Sequence, residues 1–166
     1  MSVLRELLRS HRGDGRVDWI GLRPERLAPV QSVTRAEITE KGLVGDHGRP
    51  GKRALTLIQA EHLPAIAALC GAGELSPETL RRNIVVSGIN LMALRHNQIR
   101  IGSALIEFSV PCAPCSRMEK ALGTGGYNAM RGHGGWCATV IEPGHVALGD
   151  PVRPEDRATP DLSRQA

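Results

Sequence analysis

The sequence predicts a mainly β, barrel-like domain carrying a few short helices. Two observations lead there: apolar segments of strand length recur at irregular spacing, and 19 glycines and 11 prolines interrupt them. A doubly wound α/β sheet would instead need long helices alternating regularly with the strands. The length of 166 residues, 41% hydrophobic and 23% charged, fits one globular domain with a core of its own.

Residues 2–11 place Val3, Leu4, Leu7 and Leu8 on one side and Arg5 and Arg9 elsewhere, which predicts a short amphipathic helix. A loop follows at residues 13–15. Residues 17–22 and 32–39 read as strands separated by turns at Pro24 and Pro29. Residues 54–58 form an apolar run of strand length, and 60–69 have helical propensity up to the Gly71–Gly73 breaker. Ser76, Pro77 and Glu78 open a short helix reaching Arg81. The later half is more clearly β: residues 84–86, Ile99 and Ile101 around Arg100, and Ile106, Phe108 and Val110 alternating with Glu107 and Ser109. Residues 136–141 and 146–152 supply two more strands. The expected organisation is an N-terminal helix and linker over 1–15, the barrel domain over 16–153 and a loose polar tail over 154–166.

Composition excludes several function classes. Trp19, Phe108, Tyr127 and Trp136 are the only aromatic residues, which leaves few platforms for stacking bases. The net charge of +4 is interspersed with acidic residues and contains no basic run, so a small anionic ligand is expected rather than stable nucleic-acid binding. The first segment lacks the apolar core and cleavage site of a signal peptide, and no stretch has the length of a membrane span. A cytoplasmic protein follows as the expectation, and its four cysteines then read as thiols rather than a disulfide framework.

The strongest chemical signal is Pro111-Cys112-Ala113-Pro114-Cys115-Ser116-Arg117-Met118-Glu119. Ser116 and Glu119 have the spacing of a helix capping box, which puts Cys115 at the start of a helix, where the dipole and Arg117 favour a thiolate. A thiolate is both a nucleophile and a soft metal ligand. Cys70 and Cys137 read as inert core thiols. Cys112 is balanced between a supporting and a structural role. The C-x-x-C spacing lacks both the βαβ context of a redox pair and the second pair of a zinc site.

Anion-binding candidates are weaker. Residues 45–53 miss the Walker spacing, and Arg53 replaces its magnesium-binding hydroxyl residue. The glycine runs at 123–126 and 132–135 fail the dinucleotide pattern. Glycine-rich loops beside Lys52, Arg53 and Arg131 nevertheless present N–H groups and cations to a phosphate or pterin. In Arg81-Arg82-Asn83, one guanidinium and the carboxamide are expected to face a pocket while the other arginine meets solvent.

Five segments in order, Lys41–Asp46, Leu57–Glu61, Arg81–Gly88, Pro111–Cys115 and Gly149–Val152, resemble the MOSC domain family over residues 16–153. The resemblance implies a barrel like that of pyruvate kinase and a pocket for the molybdenum cofactor. Cys115 matches the family's molybdenum-ligating cysteine. Arg81 and Asn83 match its cofactor-holding Arg-x-Asn, and Lys52, Arg53 and Arg131 are implied pocket neighbours. Ala113 stands where amidoxime-reducing relatives have a serine. The pyridoxal-phosphate domain of the sulfurases has no counterpart, so that cofactor is not expected. The activity implied is reduction of N-hydroxylated small molecules with electrons from a separate reductase. The alternative is a carrier of persulfide sulfur or of the cofactor, supplied by a cysteine desulfurase. A purely structural role for the motifs is the third reading, and a homo-oligomer is compatible with all three.

Overall fold

The computed structural model describes residues 2–156. In chain order the elements are α1 (Val3–Arg9), β1 (Gly15–Leu22), β2 (Gln31–Val33), β3 (Arg35–Thr39), β4 (Gly42–Leu43), β5 (Leu55–Gln59), α2 (His62–Leu69), α3 (Pro77–Leu80) and β6 (Ile84–Ser87). A 3-10 turn (Leu91–Leu94), β7 (Gln98–Ile101), β8 (Ala104–Pro111), α4 (Ser116–Leu122), α5 (Gly126–Met130), β9 (Trp136–Glu142), β10 (Gly144–Ala147) and β11 (Pro151–Glu155) complete it.

Seven strands close into a barrel in the order β1-β6-β5-β9-β8-β7-β11, with β11 pairing back onto β1 and β2 extending β1 outside the ring. All these pairings are antiparallel except β5 with β6, whose parallel crossover contains α2 and α3. Side-chain alternation explains which face each residue serves. Leu55 and Leu57 of β5, Ile84 and Val86 of β6, Ile99 and Ile101 of β7, and Ile106 and Phe108 of β8 fill the barrel. Ile58 and Val85 point the other way, into a second core with Ile66, Leu80, Met118 and Met130 of the helices. Strands β5 and β6 are therefore buried on both faces and read as continuous apolar runs. A three-stranded sheet, β10-β3-β4, adds Ile38, Leu43 and Val146 to the barrel core. On the outside, Arg100 of β7 bonds Glu155 of β11 at 2.7 Å and Glu142 of β9 at 3.0 Å, lacing strands across the ring.

The expected mainly β barrel with short helices is the observed fold, with differences of detail. Residues 32–39 are not one strand: Gln31–Val33 pairs with β1, whereas Arg35–Thr39 pairs with β10 and β4. Residues 146–152 divide likewise between the two sheets, because Gly149 turns the chain at positive φ. Strand β11 takes in Pro154 and Glu155 of the expected tail, whose residues 157–166 lie outside those described. Helix α1 forms with Ser2 as its N-cap, but Val3, Leu4, Leu7 and Leu8 all remain exposed. Among the described residues, no helix is long and apolar enough to cross a membrane.

Candidate functional site

One pole of the barrel gathers the Arg81–Asn83 segment, the turn after β4, the Cys112–Cys115 segment and the start of α4. Arg81 is the C-cap of α3 and adopts a left-handed conformation, φ 55° and ψ 34°. That conformation is uncommon for a residue with a Cβ. It reverses the chain so that β6 starts three residues later, and it turns the Arg81 side chain away from that of Arg82.

The centre of the pole is a buried ion pair. Asp46 accepts hydrogen bonds from Arg23 N at 2.7 Å, Arg23 Nε at 3.0 Å, Arg23 Nη2 at 2.8 Å and Gly48 N at 3.1 Å. The Asp46 carboxylate is inaccessible to solvent. Burial opposes its charge, but the hydrogen bonds and positive charge of Arg23 prevail and hold the carboxyl below its ordinary value. Arg23 also donates to Asn83 Oδ1 at 3.2 Å. Asn83, fully buried, accepts from Thr56 N and Thr56 Oγ1, each at 3.1 Å, and donates Nδ2 to Gly21 O at 3.2 Å. Its carboxamide is thereby committed to β1, β5 and Arg23, and it positions Arg23.

Arg81 is different. Its Nη1 donates to the Ala28 carbonyl, while its Nη2 is buried and has no protein partner among the described residues. Burial, then the like charges of Arg117 and Arg23, push its guanidinium below its ordinary value. The Asp46 carboxylate opposes this shift without overcoming it. Arg117 lies in the first turn of α4, whose N-cap is Cys115 with φ −132° and ψ 173°. The Cys115 thiol is exposed and makes no capping bond.

The capping box expected from Ser116 and Glu119 does not form. With Cys115 as N-cap, Glu119 falls one residue too far along, and its carboxylate instead accepts from Gly125 N at 2.8 Å and Tyr127 N at 2.7 Å. Those two bonds cap α5, a helix that the glycine-rich sequence concealed, and hold the Glu119 carboxyl below its ordinary value. Arg82 does not meet solvent as expected. It is buried, donating to Gly134 O and Leu80 O at 2.8 Å each and to Cys112 O at 3.4 Å. Gly134 and Gly135 follow from this packing: a Cβ at Gly134 would strike the Cys112 carbonyl, and one at Gly135, which has positive φ, the Leu57 carbonyl.

A cavity of about 450 Å³ opens beside this pole, lined by Cys112, Pro114, Tyr127, Met130, Arg131 and Trp136 among others. Arg131 is thus in the cavity wall. Arg53 is exposed in the turn before β5, with its charge reaching Cys112 and Cys137, and the Lys52 carbonyl accepts from Ser109 Oγ. Cys115, Arg81, Asn83, Lys52 and Arg53 are not part of the lining. The sequence reading missed Arg23 and Asp46 as a pair, because 23 residues separate them and Asp46 entered only as the end of the Lys41–Asp46 segment, with nothing pointing to Arg23. Among the described residues, no group of three or more His, Cys, Asp or Glu side chains could hold a metal ion.

Fold and site define a small closed β-barrel with an exposed thiol and clustered guanidiniums at one pole. The model of the MOSC domain matches residues 30–153, and the chain belongs to the MOSC domain family. Its fold is shared by the YuaD protein of Bacillus subtilis, with a TM-score of 0.73 and 18% identity, covering 84% of this chain and 94% of that one. It is shared also by YiiM of Escherichia coli (TM-score 0.68, 24% identity, 87% and 71% covered) and YiiM of Geobacillus stearothermophilus (0.71, 17%, 89% and 78%). No curated protein sequence matches the chain.

Proposed function

We propose that the chain binds a molybdenum–pterin cofactor at the pole around Cys115 and acts in the cytoplasm as a reductase of N-hydroxylated small molecules, with electrons from a separate reductase. The observation that carries this reading is the Arg81 guanidinium, whose buried Nη2 has no hydrogen-bond partner among the described residues and which feels the charge of Arg117, two residues along the chain from an exposed thiol. A buried donor without an acceptor costs about 1–3 kcal/mol, and an anionic ligand would recover it. A phosphorylated pterin offers such an acceptor, and a soft thiolate suits a metal whose other donors come from an organic cofactor. The residues present therefore fit the group.

When bound, the cofactor would supply the electron-transfer chemistry that no side chain provides. The chain's own residues bind and orient. Arg81 and Arg117 take the anionic portion, Asp46 and Asn83 keep Arg23 fixed behind them, and Cys115 offers the metal ligand. Arg53, Lys52 and Arg131 lie at the approaches, where their charges attract an anion. Exchanging Arg81 for lysine keeps the charge but removes the planar fork. Arg81→Lys is expected to weaken cofactor retention about tenfold, corresponding to about 1.4 kcal/mol, with little change in the urea midpoint. Equilibrium dialysis of the released pterin measures it, and unchanged retention would contradict the assignment. Turnover of amidoximes and N-hydroxylated bases with a reduced mediator tests the activity, and a cofactor-loaded chain that leaves them all unchanged excludes it.

The exposure of Cys115 also favours a second reading, a persulfide carrier fed by a cysteine desulfurase. Added sulfur on Cys115, read by intact mass after incubation with the desulfurase, supports that reading, and its absence argues against it.

A further inference from the structure

The proposed cofactor site uses Cys115, yet another thiol faces the cavity. Cys112 lies in the cavity wall and is partly exposed, whereas Cys137 on β9 is buried. The register of β8 against β9 brings them together. Pro111 pairs with Trp136, and Cys112 N donates to Gly135 O at 2.8 Å. Cys112 and Cys137 are consequently diagonal neighbours on one face of the antiparallel pair, within side-chain reach. The two thiols therefore share that face and influence each other's protonation.

The surroundings divide the labour between them. Arg82 is anchored on the Cys112 carbonyl, and the charges of Arg82, Arg23 and Arg53 all act on the Cys112 sulfur. The hydrogen bond from Cys137 contributes most, and together these influences outweigh burial and lower the Cys112 thiol to about 6. Cys137 is pushed the opposite way, by the same hydrogen bond, by burial and by the Cys112 charge. These influences favour the thiolate at Cys112, the partly exposed member, and the thiol at Cys137, the buried one, an order suited to a reactive sulfur and a partner behind it.

We propose that Cys112 is an oxidisable nucleophilic thiol, reached by hydroperoxides through the cavity, and that Cys137 is its resolving partner. The Cys112 thiolate attacks one peroxide oxygen and the O–O bond breaks. Cys112 becomes a sulfenic acid, and the peroxide leaves as an alcohol, or as water from hydrogen peroxide. The Cys137 sulfur then attacks the Cys112 sulfur, forming the S–S bond and releasing water, whose second hydrogen is the Cys137 proton. The two thiols supply the two electrons that the peroxide accepts. The first step also prepares the second, because it removes the Cys112 thiolate, whose hydrogen bond and charge act together with burial to hold the proton on Cys137. Residues 112–115 have no regular secondary structure, so the Cys112 side can move to the S–S distance while β9 stays in register.

Peptide mass mapping tests this on the purified full chain, treated at neutral pH with one equivalent of hydrogen peroxide and then alkylated under denaturing conditions. The main product is expected to be a Cys112–Cys137 crosslink, with Cys115 and Cys70 alkylated. In Cys137→Ser the crosslink disappears and a dimedone probe traps the sulfenic acid on Cys112. Should that buried substitution unfold the chain, the alkylation rate of Cys112 in the wild type provides the second reading, with half its maximal rate near pH 6. Oxidation of Cys115 while Cys112 stays a thiol overturns the proposal. So does a Cys112–Cys115 crosslink, or accumulation of Cys112 sulfinic acid in the wild type.

Discussion

Asn83→Leu is expected to lower the stability of the chain by about 3–5 kcal/mol, the larger of two effects centred on the guanidinium pole. Leucine keeps the branched shape of the carboxamide and is somewhat larger, so no cavity is left to account for the loss. It comes from leaving Thr56 N, a Thr56 hydroxyl and the Gly21 carbonyl buried without their partner. Each such group costs about 1–3 kcal/mol, and three incomplete compensations give the stated range. Urea unfolding measures the change as a lower midpoint with an unchanged slope. Because Asn83 also holds Arg23, the variant should retain less cofactor even where it remains folded. A loss below about 1 kcal/mol would mean that water replaces the carboxamide, and that Asn83 does not organise the pole.

Asp46→Asn carries a comparable cost, about 3 kcal/mol, because removing one member of a buried pair strands the other charge. The amide keeps one acceptor oxygen where the carboxylate used two, and it turns an NH₂ group toward donors on Arg23 and Gly48. The wild-type pair also has a pH signature. The folded-state carboxyl of Asp46 lies below its unfolded value of 3.8. Its contribution is therefore complete above about pH 4 and is lost as pH falls through the lower folded value. Glu61, Glu119 and Glu155 are displaced in the same direction, so several carboxylates shape the acid limb. Asp46→Asn should flatten that limb while lowering stability at neutral pH. An unchanged acid limb would show that the pair does not titrate with folding.

Much of this architecture is legible in local patterns. Alternation over residues 106–110 locates β8, and the apolar runs at 54–58 and 84–86 locate β5 and β6, strands buried on both faces. What stayed concealed depends on partners far along the chain. Arg82 and Arg81 are adjacent and chemically alike, and only the left-handed backbone at Arg81 decides which one enters the interior. The Ser116–Glu119 spacing suggested a capping box, but the helix takes Cys115 as its N-cap, and the N–H groups of Gly125 and Tyr127 hold the carboxylate. Cys137 sits in an apolar strand, as a core thiol should. Its place beside Cys112 depends on the register between β8 and β9, which no local pattern encodes.

Metal and pterin content, measured on protein purified anaerobically from a molybdate-fed host that makes the cofactor, tests the role of Cys115 most directly. The wild type should carry molybdenum and pterin near one equivalent per chain, and Cys115→Ser should lose the metal while keeping the urea midpoint, since the thiol is exposed and makes no structural bond. Wild type and variant both free of metal and pterin, or a variant retaining the wild-type content, would contradict a molybdenum site at this cysteine.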